Sequence, residues 1–267
     1  MRLLATALVA MLLAPAAARA WVRTTVDTQP DLPVWWAPRR QEVFLASGSS
    51  LDVGPADLVL ATDASLAAWT RPVACTDLEL VPGGEAGGLG TNLMGGAHDG
   101  QNRIVFREGA WPADLGPDTI AITSLVYRRS SGELLDGDID VNAVDHAWSA
   151  GPVPGAGTYD VQNTLTHELG HLIGLGHSTV STATMFVRTD PEETLKRDLD
   201  ADDLDALCYV YPAGMRTPGG VGPRAPLGSG CAAGRSPRGG AAPTLAVLAW
   251  LGVRAARARR RRPSPVR

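Results

Sequence analysis

The chain has 267 residues, 45% of them hydrophobic, which is typical of a globular protein large enough for one ordinary core. Its formal net charge of −4 is unevenly distributed: residues 213–267 hold eleven arginines and no acidic residue, whereas residues 21–212 carry about −17. Binding to nucleic acid requires a basic face, so the acidic body argues against nucleic acid as a partner. The basic segment is interpreted as an appended tail.

The first twenty residues have the pattern of a secretory signal peptide. A positive start precedes an apolar run at Leu3–Leu13, and Ala18-Arg19-Ala20 has the small-x-small pattern that signal peptidase accepts. We expect cleavage before Trp21. A membrane anchor is the alternative, although the apolar run is short for a span. Either way the body is expected outside the cytoplasm, secreted or at the cell surface, where disulfides can form.

Residues 21–212 contain the elements of one domain. Strands are predicted from alternating or β-branched runs, and helices from helical spacing of apolar residues or from a preceding capping residue. Glycine-rich residues 82–100 and residues 151–157 are predicted to be loops. In chain order the sequence predicts a strand at Glu42–Ala46, a helix at Pro55–Trp69, strands at Thr76–Val81, Arg103–Arg107, Thr119–Tyr127 and Asp138–Asn142, and helices at Asp160–Gly174 and Asp200–Tyr209.

The most informative pattern is THELGHLIGLGHS, at residues 166–178. His167 and His171 lie four apart on a helix, so both imidazoles project from one face, as two neighbouring zinc ligands must. Gly174 can adopt a left-handed conformation that ends the helix and allows His177 to return as third ligand. Three neutral imidazoles leave a fourth position for water, which is the arrangement of a catalytic zinc site.

Glu168 is placed to hydrogen-bond the water on the metal. Zinc lowers the pKa of its bound water to about 7. Glu168 can accept the proton, the hydroxide can attack a carbonyl polarised by zinc, and Glu168 can then protonate the leaving amine. The sequence therefore predicts a secreted zinc endopeptidase whose partner is a protein or peptide substrate.

Two other functions stay open. One is a non-enzymatic surface or adhesion module that keeps zinc for stability. Glu168 argues against it, because a structural site needs no base and is usually closed by four protein ligands. The other is metal-dependent hydrolysis of a non-peptide amide.

The pattern HExxHxxGxxHS at residues 167–178 resembles the metzincin signature, and Ser178 after the third histidine resembles the matrixin, or matrix-metalloprotease-like, branch. Metzincins have a methionine turn beneath the metal, and Met185 in ATMF matches its position. The resemblance implies that Met185 forms a hydrophobic floor and is not a ligand.

This resemblance also implies the fold, an α+β zincin-like architecture. It has a twisted, mostly parallel five-stranded sheet with one antiparallel edge strand, an active-site helix and a C-terminal helix. By order, Thr119–Tyr127 would be the edge strand, and an extended substrate would add to it as a further strand, opposite a wall at residues 184–187.

Two departures from matrix metalloproteases are expected. No propeptide segment with a zinc-blocking cysteine is recognisable after Trp21. The stretch LDGDIDVN, at residues 135–142, has aspartates where those enzymes have the histidines of a second, structural zinc site, so no structural zinc is expected.

Several polar residues give weaker indications. Asp136, Asp138, Asp140 and Asn142 offer oxygen ligands at alternate positions, which would suit calcium, although a solvated turn leading into a strand is the alternative. His98 and His146 are isolated and are interpreted as surface or supporting histidines.

Cys75 follows the first predicted helix and Cys208 lies in the last. A disulfide between them would join the two ends of the domain, and free buried cysteines are the alternative.

The domain is expected to end at Pro212. Residues 213–240 have linker composition, and residues 241–267 combine a short apolar helix, predicted at Ala242–Val253, with an arginine cluster. With Cys231 before them, they resemble a bacterial sorting tail of the myxobacterial type, which implies transient membrane contact with the arginines on the cytoplasmic side. A disordered basic tail is the alternative. We expect a monomer.

Overall fold

The computed structural model describes residues 20–70, 74–96, 98–220 and 245–248. Three α-helices and ten strands form its regular structure. In chain order they are β1 (Thr25–Val26), β2 (Gln29–Pro33), β3 (Arg40–Leu45), α1 (Pro55–Thr70), β4 (Glu79–Glu85), β5 (Asn102–Arg107), β6 (Ala121–Tyr127), β7 (Leu134–Asn142), β8 (Trp148–Ser149), β9 (Tyr159–Asp160), α2 (Val161–Leu172), α3 (Ala201–Val210) and β10 (Leu245–Leu248).

The central sheet has the strand order β10-β6-β7-β5-β3-β4. The four strands β4, β3, β5 and β7 run parallel to one another, and β6 is antiparallel to β7. Strands β3 to β7 form the expected mixed five-stranded sheet, in which β6 is the antiparallel strand at one end, and β10 adds a sixth strand beside β6. All seven residues of β6 are buried, which suits a β-branched sequence such as AITSLVY.

The C-terminal segment corrects one prediction. The sequence predicts a helix over Ala242–Val253, but Leu245–Leu248 within that run is a strand antiparallel to β6. A helix of only a few turns is marginal by itself, whereas a sheet edge provides partners for the backbone N–H and C=O groups of an apolar segment. The rest of that run, Cys231 and the arginine cluster lie outside the described residues, as do residues 1–19.

Helices α1 and α2 pack against each other and cover the sheet. The indole N–H of Trp69 in α1 donates to the carbonyl of Thr166 in α2 over 2.8 Å, and Trp69 is fully buried. Leu58 and Leu66 of α1 belong to the same core cluster as Leu165 of α2 and the buried strand residues. Helix α2 lies against strands β6 and β7 of the sheet. No helix among the described residues is long and apolar enough to cross a bilayer.

Helix α3 is the last helix of the domain, and it contacts both the N-terminal segment and the residues that follow α1. Cys208 in α3 forms a disulfide with Cys75, which follows α1. The backbone N–H groups of Ala20 and Trp21 donate to the carboxylate of Asp202, at 2.8 and 3.3 Å. The helix begins at a capping box formed by Asp200 and Asp203.

Candidate metal centre

Helix α2 carries two of the three histidines, and its N-terminus is anchored by Asp160. Asp160 caps the helix by accepting a hydrogen bond from the backbone N–H of Asn163 at 2.7 Å, and its carboxylate also pairs with Arg197. Almost every residue of α2 is buried, including His167, Glu168 and His171. The helix therefore presents its two histidines and the glutamate inside the molecule, away from bulk water.

Gly174 turns the chain after α2. Its φ of +86° lies in the left-handed region, and an added Cβ atom would be 3.0 Å from the carbonyl oxygen of Val34. The N–H of Gly174 donates to the carbonyl of His171, and that of Leu175 to the carbonyl of Gly170, as in a helix C-cap. The turn brings His177 back beside the helix, as the sequence predicts.

The structure brings His167, His171 and His177 together. Their ring centroids are 4.7 to 5.3 Å apart, and one nitrogen from each lies within 4.8 Å of the others. Nδ1 of His167 lies 2.6 Å from the carbonyl of Thr184, and Nδ1 of His171 lies 2.8 Å from that of Leu175. Since a carbonyl only accepts, these contacts place the protons on Nδ1 and leave Nε2 free to bind a metal.

The electrostatics of the triad favour neutral ligands. Burial lowers the pKa of His171 to about 4 and that of His177 to about 3, and it lowers the pKa of His167 well below its ordinary value. Nε2 of His167 is buried and has no hydrogen-bond partner among the described residues. Neutral imidazoles with an unpartnered buried nitrogen fit a zinc ion, which requires deprotonated ligands.

Glu168 directly follows His167 on α2, and its side chain is held by β6. Its Oε2 atom accepts a hydrogen bond of 2.6 Å from the hydroxyl of Thr123. Burial raises the pKa of Glu168 to about 8, and the Thr123 hydrogen bond opposes that rise. A nearby zinc ion would lower it again. A carboxyl group that titrates near neutral pH can both accept and donate a proton.

Met185 lies beneath α2, as the resemblance implies, and is only 1% exposed. Gly170 makes room for it, because an added Cβ there would be 2.2 Å from the Met185 sulfur and 2.8 Å from Trp69. Asp203 of α3 accepts hydrogen bonds from the backbone N–H groups of Thr184, at 2.7 Å, and Met185, at 3.0 Å. The methionine turn is thus fixed from two sides.

Four supporting residues were not predicted from the sequence: Thr123, Leu175, Thr184 and Asp203. Leu175 and Thr184 contact the imidazoles through their backbone carbonyls. Every residue has such a carbonyl, so the residue type does not indicate this role. For Asp203, the sequence indicates only a favourable charge at a helix N-terminus. Its contact with the methionine turn depends on how α3 packs, which a single sequence does not show.

The aspartates of β7 have protein partners. The carboxylate of Asp138 accepts from the backbone N–H groups of Asn92 and Arg103, and Asp140 pairs with Arg107. Burial raises the pKa of Asp138 to about 7. Among the described residues, the histidine triad is the one group of three or more His, Cys, Asp or Glu side chains close enough to hold a metal. The aspartates mainly anchor the glycine-rich loop.

The two remaining histidines lie apart from the triad. His98 is exposed, and His146 is half-buried with its ring against Tyr159, at 5.1 Å between centroids. Among the residues that the structure describes, neither belongs to a group of three or more side chains that could hold a metal.

Comparison with known proteins agrees with this geometry. Residues 115–212 match the matrixin family of peptidases. The chain is 29% identical over 119 residues to a probable matrix metalloproteinase of Invertebrate iridescent virus 3, covering 43% of this chain and 30% of that protein. It is 34% identical over 86 residues to metalloendoproteinase 5-MMP of Arabidopsis thaliana, covering 32% and 24%.

A third relative is karilysin of Tannerella forsythia, 40% identical over 80 residues, which covers 29% of this chain and 15% of that protein. The chain therefore spans less than a third of the length of each of these relatives. The family match contains the histidine triad, Glu168, Met185 and the antiparallel strand β6. Residues 115–212 are therefore similar to a matrixin peptidase domain.

Proposed function

We propose that the protein is a secreted zinc endopeptidase that hydrolyses peptide bonds in proteins, with His167, His171 and His177 as zinc ligands and Glu168 as the proton carrier. One observation carries the proposal: three imidazoles come together as a possible metal site, and the buried carboxylate of Glu168, next to His167 on α2, is held by the Thr123 hydroxyl. A base at that position has a use only if water must be activated there.

The residues divide the chemistry between them. A bound zinc ion supplies Lewis acidity, which makes water more acidic and a carbonyl more electrophilic. Glu168 accepts the proton of the attacking water and then delivers it to the amine that leaves. Thr123 fixes the position of that carboxylate, and the carbonyls of Thr184 and Leu175 keep the imidazoles oriented. Burial keeps competing water away from the proton.

Substrate placement follows from the sheet. β6 is antiparallel to β7 and contributes Thr123, so a peptide that took the place of β10 along β6 would pass Glu168. Such strand addition uses main-chain hydrogen bonds for affinity and side-chain pockets for specificity. The opposite wall would be residues 184–187, which include Met185 of the methionine turn.

A chelator experiment separates this proposal from a zinc-stabilised adhesion module. The purified protein is expected to clear casein or gelatin in a zymogram, to lose that activity with a zinc chelator and to regain it when zinc is restored. Retention of activity under chelation, with metal absent by elemental analysis, would contradict a zinc mechanism. A folded, zinc-loaded protein that cleaves no member of a diverse peptide library would favour the adhesion module.

The proposal also covers export of the protein, its oligomeric state and the role of its C-terminal tail. We propose that the signal peptide is removed before Trp21, that the protein acts as a monomer outside the cell, and that the tail contacts the membrane transiently. N-terminal sequencing should start at Trp21, and a start at Met1 would contradict export by cleavage.

Calcium binding at Asp136, Asp138 and Asp140 is a proposal too. It predicts a higher melting temperature with calcium than with magnesium.

A further inference from the structure

The edge of β6 at which a substrate would add is occupied by a segment of the same chain. β10 pairs antiparallel with β6, so that residues 245–248 lie opposite residues 126 to 123 in that order. In the sheet, β6 therefore lies between β7 and β10. The row of backbone N–H and C=O groups on this side of β6 can pair with one strand at a time. A peptide that adds to this part of β6 must displace β10.

The paired stretch of β6 is also the stretch that contacts the proposed catalytic carboxylate. Thr123, which lies opposite Leu248, donates its hydroxyl to Oε2 of Glu168 at 2.6 Å. The same hydroxyl lies 3.1 Å from the backbone carbonyl of Glu168. Helix α2, which carries Glu168, lies against β6. β10 therefore covers β6 at the position where a substrate chain would have to pass Glu168.

β10 pairs with β6 in a way that an extended substrate could also use. Antiparallel pairs are slightly more stable per residue than parallel pairs. Recognition by strand addition takes its affinity from main-chain hydrogen bonds, which any peptide can offer. β10 and a substrate peptide therefore compete for the same backbone groups of β6, and their concentrations near that edge decide which one binds.

The covalent connection gives β10 a high concentration near β6. The sequence from Gly220 to Leu245 contributes 25 peptide units, which can span up to roughly 80 Å, more than the width of a domain of this size. Tethered partners reach effective concentrations in the millimolar range. The eleven arginines of residues 213–267 and the charge of about −17 on residues 21–212 favour association further. A substrate at micromolar concentration therefore competes at a disadvantage.

We propose that the C-terminal segment that forms β10 is an intramolecular competitive inhibitor of the protein's own substrate edge. The inference rests on the proposed endopeptidase function and adds a regulation to it. Release of β10 frees the backbone groups of β6 and leaves the histidine triad and Glu168 unchanged, so it should lower KM without changing kcat. For a tethered concentration of about one to ten times the dissociation constant of the strand, KM should fall roughly two- to ten-fold.

Steady-state kinetics of full-length variants on a short fluorogenic peptide test the inhibition. Ala246→Pro/Val247→Pro removes two successive backbone N–H groups, and one of the two must face β6 because successive residues of an antiparallel strand alternate in their pairing. Ala246→Thr/Val247→Thr is the matched control, since it keeps both N–H groups. The proline variant should have a KM roughly two- to ten-fold below that of the control, with the same kcat.

Two kinetic outcomes would overturn the inference while the proposed function stands. Equal KM values in two active variants would show that β10 does not inhibit. A KM that rises with enzyme concentration would assign the inhibiting strand to a second copy of the chain. If neither variant cleaves any peptide, the proposed function fails, and the inhibition fails with it.

Hydrogen exchange tests the docking of β10 without any turnover. The same two double variants are compared in the full-length Glu168→Ala background. Backbone amides in residues 123–126 should exchange roughly five-fold faster or more in the proline variant than in the threonine control. Equal exchange in the two variants would show that β10 does not occupy β6, and would overturn the inference whatever the kinetics of the active enzyme.

Discussion

Thr123 and Asp203 hold the site together although neither belongs to the zinc-binding pattern. The triad and Glu168 could be predicted because helical spacing fixes which side chains share a face, and Gly174 marks where the helix must end. The contact of Thr123 with Glu168 joins residues 45 apart in sequence, and that of Asp203 with Thr184 joins residues 19 apart. Such contacts depend on packing between elements, which local patterns do not encode.

Replacement of Thr123 by valine tests the positioning of Glu168. The hydroxyl hydrogen bond stabilises the carboxylate and so lowers its pKa. Hydrogen bonds to charged groups contribute about 1.5–3 kcal/mol, equivalent to about one to two pH units. Because the base must be ionised, the acidic limb of the pH profile of kcat/KM should move to higher pH in Thr123→Val.

Ser124→Ala is the matched control for that shift. Its hydroxyl is also buried in β6 but has no hydrogen-bond partner among the described residues. Its pH profile should match that of the wild type. An unmoved acidic limb in Thr123→Val would show that Thr123 does not set the ionisation of Glu168.

Gly170→Ala should destabilise the protein because the new Cβ would collide with Met185 and Trp69. Overpacking a buried site costs about 1–3 kcal/mol, which urea denaturation resolves. Gly48→Ala is the control, since no atom lies within 4 Å of its added Cβ and its φ is not positive. If both variants unfold at the wild-type urea concentration, the close packing of the methionine turn against α2 is refuted.

At the scale of elements, strands β3 to β7 and the three helices were predictable from hydrophobic periodicity and capping residues. Prediction of loop from residue 82 was wrong for Pro82–Glu85, which continue β4. That stretch, PGGE, has poor strand propensity, and its pairing with β3 through a register shift provides the structure. The sequence predicts a helix at the residues of β10, because a short apolar run alone does not distinguish a helix from a strand that pairs with a sheet edge.

The Cys75–Cys208 disulfide closes a loop of 133 residues between the end of α1 and α3. The double variant Cys75→Ser/Cys208→Ser should lose about 2–5 kcal/mol of unfolding free energy, because the unfolded chain gains conformational freedom. Cys231→Ser, outside the domain, should leave the stability unchanged. A double variant as stable as wild type under oxidising conditions would show that the bridge does not form in solution.

At the scale of the whole molecule, an acidic body is joined to a basic, partly apolar tail. The sorting-tail proposal places the apolar run in a membrane, whereas the strand pairing places part of it beside the catalytic residues. One segment cannot be in both places at once.

The central claim is that Glu168 moves the proton while the three histidines alone hold zinc. The most direct measurement determines zinc content and peptidase turnover together for wild type, Glu168→Ala and His171→Ala. Glu168→Ala should keep one zinc per chain and lose nearly all turnover, since loss of a general base alone costs typically 10²–10⁴-fold, while His171→Ala should lose both zinc and turnover. Near wild-type turnover in zinc-loaded Glu168→Ala would contradict the account.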